Sequence, residues 1–211
     1  MARPRQSLLT RQRIVETAAA IVDAEGLAAV TARRLATELG VQGPSLYNHF
    51  ATMGEILDAV ADAVVAQVDV SYFGRHDWRE ALRRWAQSYR AVLGAHPNIV
   101  PVLAHGPGRR PAALAMADTV YGGLIDAGWP PARATHIGAL MRYLVTGSAL
   151  GSFALGFAED PTLYELYPHL RDAHLLAEHQ HSVDEGAFTL GLDLLIAGLD
   201  RLYASLKGVS A

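Results

Sequence analysis

Residues able to do chemistry are concentrated in two stretches of this 211-residue chain. In the first, Thr31 to Phe50, the polar Arg33, Ser45, Asn48 and His49 are interleaved with apolar Leu35, Leu39, Leu46 and Phe50. Polar side chains spaced this way on short helices share an exposed face. Hydroxyl, amide, imidazole and guanidinium groups on one face suit hydrogen bonding to a partner. A plain helical hairpin, with Tyr47 and Phe50 as ordinary packing residues, would show the same apolar period, so the polar face is what separates the two readings. The second stretch holds Asp172, His174, Glu178, His179 and His181, of which His174 and His179 are candidate metal ligands. Their spacing is not a strong ligating pattern such as His-Glu-x-x-His, and a solvated acidic loop accounts for it. No metal and no cofactor are expected. The chain has no cysteine, which excludes thiolate zinc sites, disulfide scaffolds and cysteine nucleophiles together. Gly147-Ser148-Ala149-Leu150-Gly151 has the wrong glycine spacing for a nucleophile elbow, and no phosphate loop, Rossmann glycine run or zincin motif occurs. The chain is not expected to be an enzyme.

The elements that position these residues are helical by apolar spacing throughout, and the expected class is all-α. Ile14, Ala18, Ile21 and Val22 define a helix over 11–25, with Thr10 as N-cap and Gly26 as its stop. Thr31 opens a second helix that buries Leu35 and Leu39 and ends at Gly40. Pro44 sits in the first turn of a third, running through Leu46, Tyr47 and Phe50. A longer helix is expected over 53–70, a linker over 71–76, and a helix capped by Asp77 and stopped by His96-Pro97. Further helices are expected near 99–103, 110–127, 131–157 and 184–206, with a long loop over 158–183. The elements are expected to divide into a head over 1–52 and a body over 53–211.

Two short helices around a tight turn at Gly40, with small Ala36 and apolar Val41 inside the angle, form a helix-turn-helix. The run Thr31 to Phe50, ending in Ser45-Leu46-Tyr47-Asn48-His49-Phe50, resembles the DNA-binding signature of the TetR family of repressors. The resemblance starts near Arg11 and extends through Ile56-Leu57. More loosely, Asp77 to Leu82, His96-Pro97 and Phe188 to Leu199 resemble tetracycline-repressor-like C-terminal domains. The resemblance implies that Thr31 and Arg33 lie near phosphate and groove edge. It puts Gln42, Gly43, Pro44 and Ser45 at the start of the recognition helix, Asn48 at base edges, and Tyr47 and His49 at phosphates. Arg3, Arg5, Arg11 and Arg13 would form a basic arm adding sequence-independent affinity. Two departures stand out: Gly43 offers no side chain to a base, and Met53 occupies a position where the family commonly has a phosphate-gripping Lys.

Charge agrees with local DNA contact. Residues 1–50 carry six Arg against four acids, whereas the whole chain has a formal net charge of -3. A helix-turn-helix reads a two-fold operator as a dimer, so the expected partners are palindromic double-stranded DNA and a second copy of the chain. The expected dimer interface is Gly147, Gly151, Phe188, Leu192, Leu195, Ile196 and Leu199, with self-packing of the same stripes as the alternative. A small, largely apolar effector is expected against Trp85, Tyr89, His105, Met116, Tyr121, Met141 and Tyr143, residues that would serve equally well as core. A regulator without ligand gating, whether activator or architectural dimer, fits the same motifs. The Met1-to-Ser7 segment lacks an apolar signal-peptide core and no run has spanning length, so a cytoplasmic location away from membranes is expected.

Overall fold

The computed structural model describes residues 9–103 and 108–208, and among them there are α-helices and 3-10 turns but no strands. Eight α-helices follow in order: α1 (Arg11–Glu25), α2 (Ala32–Leu39), α3 (Met53–Val65), α4 (Trp78–Ala95), α5 (Val100–Leu103), α6 (Pro111–Asp126), α7 (Pro131–Ala149) and α8 (Gln180–Gly208). No helix among the described residues is long and apolar enough to cross a membrane.

The helices gather into two compact units. The first comprises the residues through Val68 together with Ala95–Met116. In it α1 lies against α3, burying Ile14, Ala18, Ile21 and Val22 beside Ile56, Val60 and Val64. This packing unit therefore runs past residue 52, because the apolar face of α3 completes the core under α1. Threonines start α1, α2 and α3: the Thr10, Thr31 and Thr52 hydroxyls accept from the backbone N–H of Arg13, Arg34 and Glu55, each at 3.1 Å. Each cap contributes about 1 kcal/mol to its helix.

The second unit comprises Asp69–Gly94 and Ala117 onward. Trp78, Leu82, Trp85, Tyr89 and Leu93 of α4 are buried, as are Ile137, Met141 and Val145 of α7 and Phe188, Leu192, Ile196, Leu199 and Tyr203 of α8. Arg79, Arg83 and Arg90 of α4 pair with Asp200, Asp193 and Glu185 of α8. The reversed order of the partners shows that the two helices run antiparallel. Exposed ion pairs add little stability individually. Their consequence here is register.

Several boundaries differ from the sequence reading. The expected helix over 53–70 ends at Val65, where Gln67 N–H and Val68 N–H turn to the Val64 and Val65 carbonyls. The chain is then drawn off axis, since Asp69 N–H donates to Ser88 Oγ and the Asp69 carboxylate accepts from Ser71 N–H. The helix expected over 131–157 ends at Ala149, so Gly151 lies beyond it. Gly147 and Gly151 weaken helix continuation by about 1 kcal/mol each, and Phe153 N–H bonds the Asp184 carboxylate instead of continuing the ladder. The expected loop over 158–183 contains three 3-10 turns, and α8 begins four residues early, at Gln180. The third helix of the head is a 3-10 turn, Gly43–Asn48. Pro44 removes a donor there, which an α-helical hydrogen-bond ladder would need.

Candidate nucleic-acid interface

The head is built around one turn. Gly40 adopts φ 68°, ψ 33°, the left-handed conformation that reverses the chain after α2. Gly40 N–H donates to Thr37 O and Val41 N–H to Ala36 O at 3.0 Å, closing the end of the helix. Leu35, Ala36, Leu39, Leu46 and Phe50 are buried beneath it. That anchoring leaves a rim of polar groups above. Thr31, Arg33, Gln42, Pro44, Tyr47 and Asn48 are exposed, and Gly43, Ser45 and His49 are half-buried. Tyr47 is 49% exposed beside the fully buried Leu46, and a half-exposed phenol suits a partner that accepts hydrogen bonds.

Two arginines brace this rim rather than joining it. Arg34 bridges Glu38 at 2.6 Å and Glu25 at 2.8 Å. Those two carboxylates, Glu38 first, push the guanidinium further above its already high range. The bridge ties α2 to the end of α1. Arg11 donates to the His49 carbonyl and stacks 3.9 Å from the centroid of the Phe50 ring. Assigned by its sequence to a basic arm, Arg11 instead clamps the end of the 43–48 turn to α1. Arg11 and His49 lie 38 residues apart in the sequence, so no local pattern signals the contact. Arg13 is half-buried, and Arg3 and Arg5 lie outside the described residues. After the turn, Thr52 caps α3, and Glu55 accepts from Ala51 N–H at 2.9 Å. Met53 is half-buried at the first position of α3.

The expected effector residues separate by environment. Trp85, Tyr89 and Met141 are buried, with the Trp85 and Tyr89 rings 6.1 Å apart. Tyr121 packs over Gly138, and Met116 is half-buried. Tyr143 is 72% exposed on α7 and so does not line the interior of its protomer. His105 lies outside the described residues. The expected dimer residues also divide. Phe188, Leu192, Ile196 and Leu199 are buried in the chain's own second unit, Leu195 is half-buried, and Gly147 and Gly151 are exposed. Among the described residues no three His, Asp or Glu side chains come together as a metal site, and His174 Nδ1 lies 3.1 Å from the Arg171 carbonyl.

Comparison with known proteins fits this architecture. The model for bacterial regulatory proteins of the tetR family matches residues 14–60, and that for the tetracyclin repressor-like C-terminal domain matches residues 73–203. The class C tetracycline repressor protein of Escherichia coli is 32% identical over 205 residues, covering 92% of each chain. The structure of apo ActR from Streptomyces coelicolor superposes with a TM-score of 0.73 at 32% identity, covering 92% of this chain and 95% of ActR. ActR in complex with actinorhodin gives the same TM-score at 31% identity, covering 92% and 97%. With both halves matched in order and nearly the whole length aligned, the chain belongs to the TetR family and is a transcriptional regulator, not an enzyme.

Proposed function

We propose that this protein is a ligand-responsive repressor that binds a palindromic operator as a homodimer and is released by a small, largely apolar effector. The observation that carries the DNA half is the exposed polar rim, Thr31, Arg33, Gln42, Tyr47 and Asn48, raised on a head whose core of Leu35, Ala36, Leu39, Leu46 and Phe50 is buried. Ser45, Pro44 and Asn48 meet base edges in this reading, while Tyr47, His49 and Thr31 meet phosphates. Residues 1–52 carry the reading function and residues 53–211 the effector and dimer functions.

The dimer half is supported by two apolar stripes left open by the protomer. On α7 and its C-cap, Leu140, Tyr143, Gly147 and Leu150 are exposed at spacings of three, four and three. On α8, Leu190 and Leu194 are exposed. Two such helices from each copy pack as a four-helix bundle. Gly147 has open space where a Cβ would lie, room for a partner helix to approach. The effector half is supported by the buried Trp85, Tyr89 and Met141 in the body, and by the actinorhodin complex of ActR. The effector favours a body conformation in which the spacing of the two heads no longer fits successive major grooves. By reciprocity the operator weakens effector binding by the same factor.

The test is a fluorescence-anisotropy titration of the full chain against DNA flanking its own gene, with Tyr47→Ala as control and actinorhodin as the first probe effector. Specific binding that resists competitor DNA, fails in the variant and weakens on adding the probe supports the reading. Specific binding unmoved by any effector that demonstrably raises the melting temperature refutes gating. No specific binding to that DNA refutes autoregulation at this site.

A further inference from the structure

Which bases the head can read depends on which of its polar groups are unengaged. Through residue 52 its described arginines are Arg11, Arg13, Arg33 and Arg34. Arg34 is shared by Glu38 at 2.6 Å and Glu25 at 2.8 Å, so reaching a base would strand two carboxylates without a counter-charge. Arg11 is taken up by the His49 carbonyl and the Phe50 ring. Arg13 is half-buried on α1 and also engaged. Arg33 is exposed, and its guanidinium has no hydrogen bond or ion pair among the described residues. The acids of the same stretch are committed as well. Glu25 and Glu38 hold Arg34, Asp23 lies 2.9 Å from His96 Nδ1, and Glu16 accepts from Gln12 at 2.8 Å.

The turn that meets DNA in the proposed reading is built without acids or strong bases. From Leu39 to Gly54 there is no Asp, Glu, Lys or Arg. What it exposes instead are two carboxamides, Gln42 and Asn48, and the ring of Pro44. Neither amide has a side-chain hydrogen bond among the described residues. Such a set has a definite base preference. A carboxamide donates to adenine N7 and accepts from its N6 amino group at once, and an apolar ring suits the thymine methyl. Guanine is read by a guanidinium or ammonium on O6 and N7, and cytosine by a carboxylate on its N4 amino group. The turn has the first chemistry and lacks the second.

We infer that the DNA-binding function on which this assignment rests is directed at an A·T-rich half-site: Gln42 and Asn48 each take an adenine, Pro44 packs on a thymine methyl, and Arg33 reads guanine at a single position. The Glu25–Arg34–Glu38 bridge then serves selectivity as well as packing. It keeps a second guanidinium, next in sequence to Arg33, from adding another guanine contact.

The test is selection by the full-length protein from a duplex library with a random core, followed by affinity measurements on the enriched site. Enriched half-sites should hold A·T pairs at the contacted positions and a single fixed G·C pair. Replacing each fixed adenine in turn with 7-deazaadenine removes the N7 acceptor but keeps the A·T pair and its minor groove, which separates direct readout from recognition of A·T-rich shape. At two positions the replacement should weaken binding about tenfold. The loss should vanish at one of them in Asn48→Ala and at the other in Gln42→Ala. Arg33→Met should release the fixed G·C pair to any base, while Arg34→Met leaves the preference unchanged. Two or more fixed G·C pairs per half-site overturn the inference, as does indifference to 7-deazaadenine. A half-site with no fixed G·C pair overturns the role of Arg33, and a guanine preference lost in Arg34→Met overturns the withholding of that arginine. Absence of any enriched sequence refutes the DNA-binding function itself, an outcome distinct from a G·C-rich site.

Discussion

Gly43 offers a base no side chain, yet nothing around it requires glycine. Its φ is outside the left-handed region, and a Cβ built there meets no atom within 4 Å. It lies at the start of the turn that the proposed reading presents to the major groove. Gly43→Gln should therefore leave the melting temperature unchanged while altering which operator sequences are preferred, as read by selection from a randomised half-site. An unchanged preference would mean that position 43 does not face DNA. Asn48 is the complementary case, an exposed amide with donor and acceptor. Asn48→Ala should cost about 1–3 kcal/mol of specific binding, leaving the salt dependence of non-specific binding unaltered, because a base contact and not a phosphate contact is lost. A reduced salt slope in that variant would reassign Asn48 to the backbone.

Helix α7 is pinned at Gly138, where a Cβ would lie 2.2 Å from Tyr121 Cε1. The ring stem is held in α6 and cannot retreat freely, so Gly138→Ala should destabilise the body by about 1–3 kcal/mol, the usual cost of overpacking, despite the better helix propensity of alanine. Denaturant unfolding measures this, and a stabilised variant would show that Tyr121 swings away at no cost. The turn after α3 carries a pH signature. Ser71 holds the Asp69 carboxyl below the ordinary carboxylate range, first through its backbone N–H and then through its hydroxyl. A depressed folded pKa contributes stability that is complete above the ordinary carboxylate value and is lost as pH falls through the folded one. The Ser71 amide resonance should thus hold steady at neutral pH and shift only in acid, and Asp69→Asn should abolish the shift. These cases mark what the sequence could convey. Thr10, Thr31, Gly40 and Asp77 are local signals, read by residues one to three positions away, and the elements they bound appear where their types predict. The ends of α3 and α7 are set by Asp69 N–H on Ser88 and Phe153 N–H on Asp184, partners 19 and 31 residues distant. Periodicity carries no information about such bonds. Arg11 was visible as a cation, but its clamp on His49 and Phe50 was not, for the same reason.

At the scale of the molecule, the dimer hypothesis turns on which face of α8 is spoken for. The helix is apolar on two sides, so its sequence cannot say which side meets the protomer's own core. Phe188, Leu192, Ile196 and Leu199 are buried within the chain, whereas Leu190 is 61% and Leu194 66% exposed. The two sets should respond to substitution in opposite ways. Leu192→Ala opens a void in a closed core and should cost about 2–5 kcal/mol of protomer stability. Leu194→Glu places a charge where the isolated protomer has only solvent, so the folded protomer should be little affected. In the proposed bundle the same charge is buried against its symmetry mate without a partner, which should break the dimer. Sedimentation velocity should then report a folded monomer for Leu194→Glu, with helical circular dichroism retained and affinity for a palindromic operator reduced to that of a single head on a half-site. A variant that remains dimeric would move the interface away from this face of α8. A variant that unfolds would show that the exposed leucines are needed by the protomer itself, and that folding and association of this chain are one event.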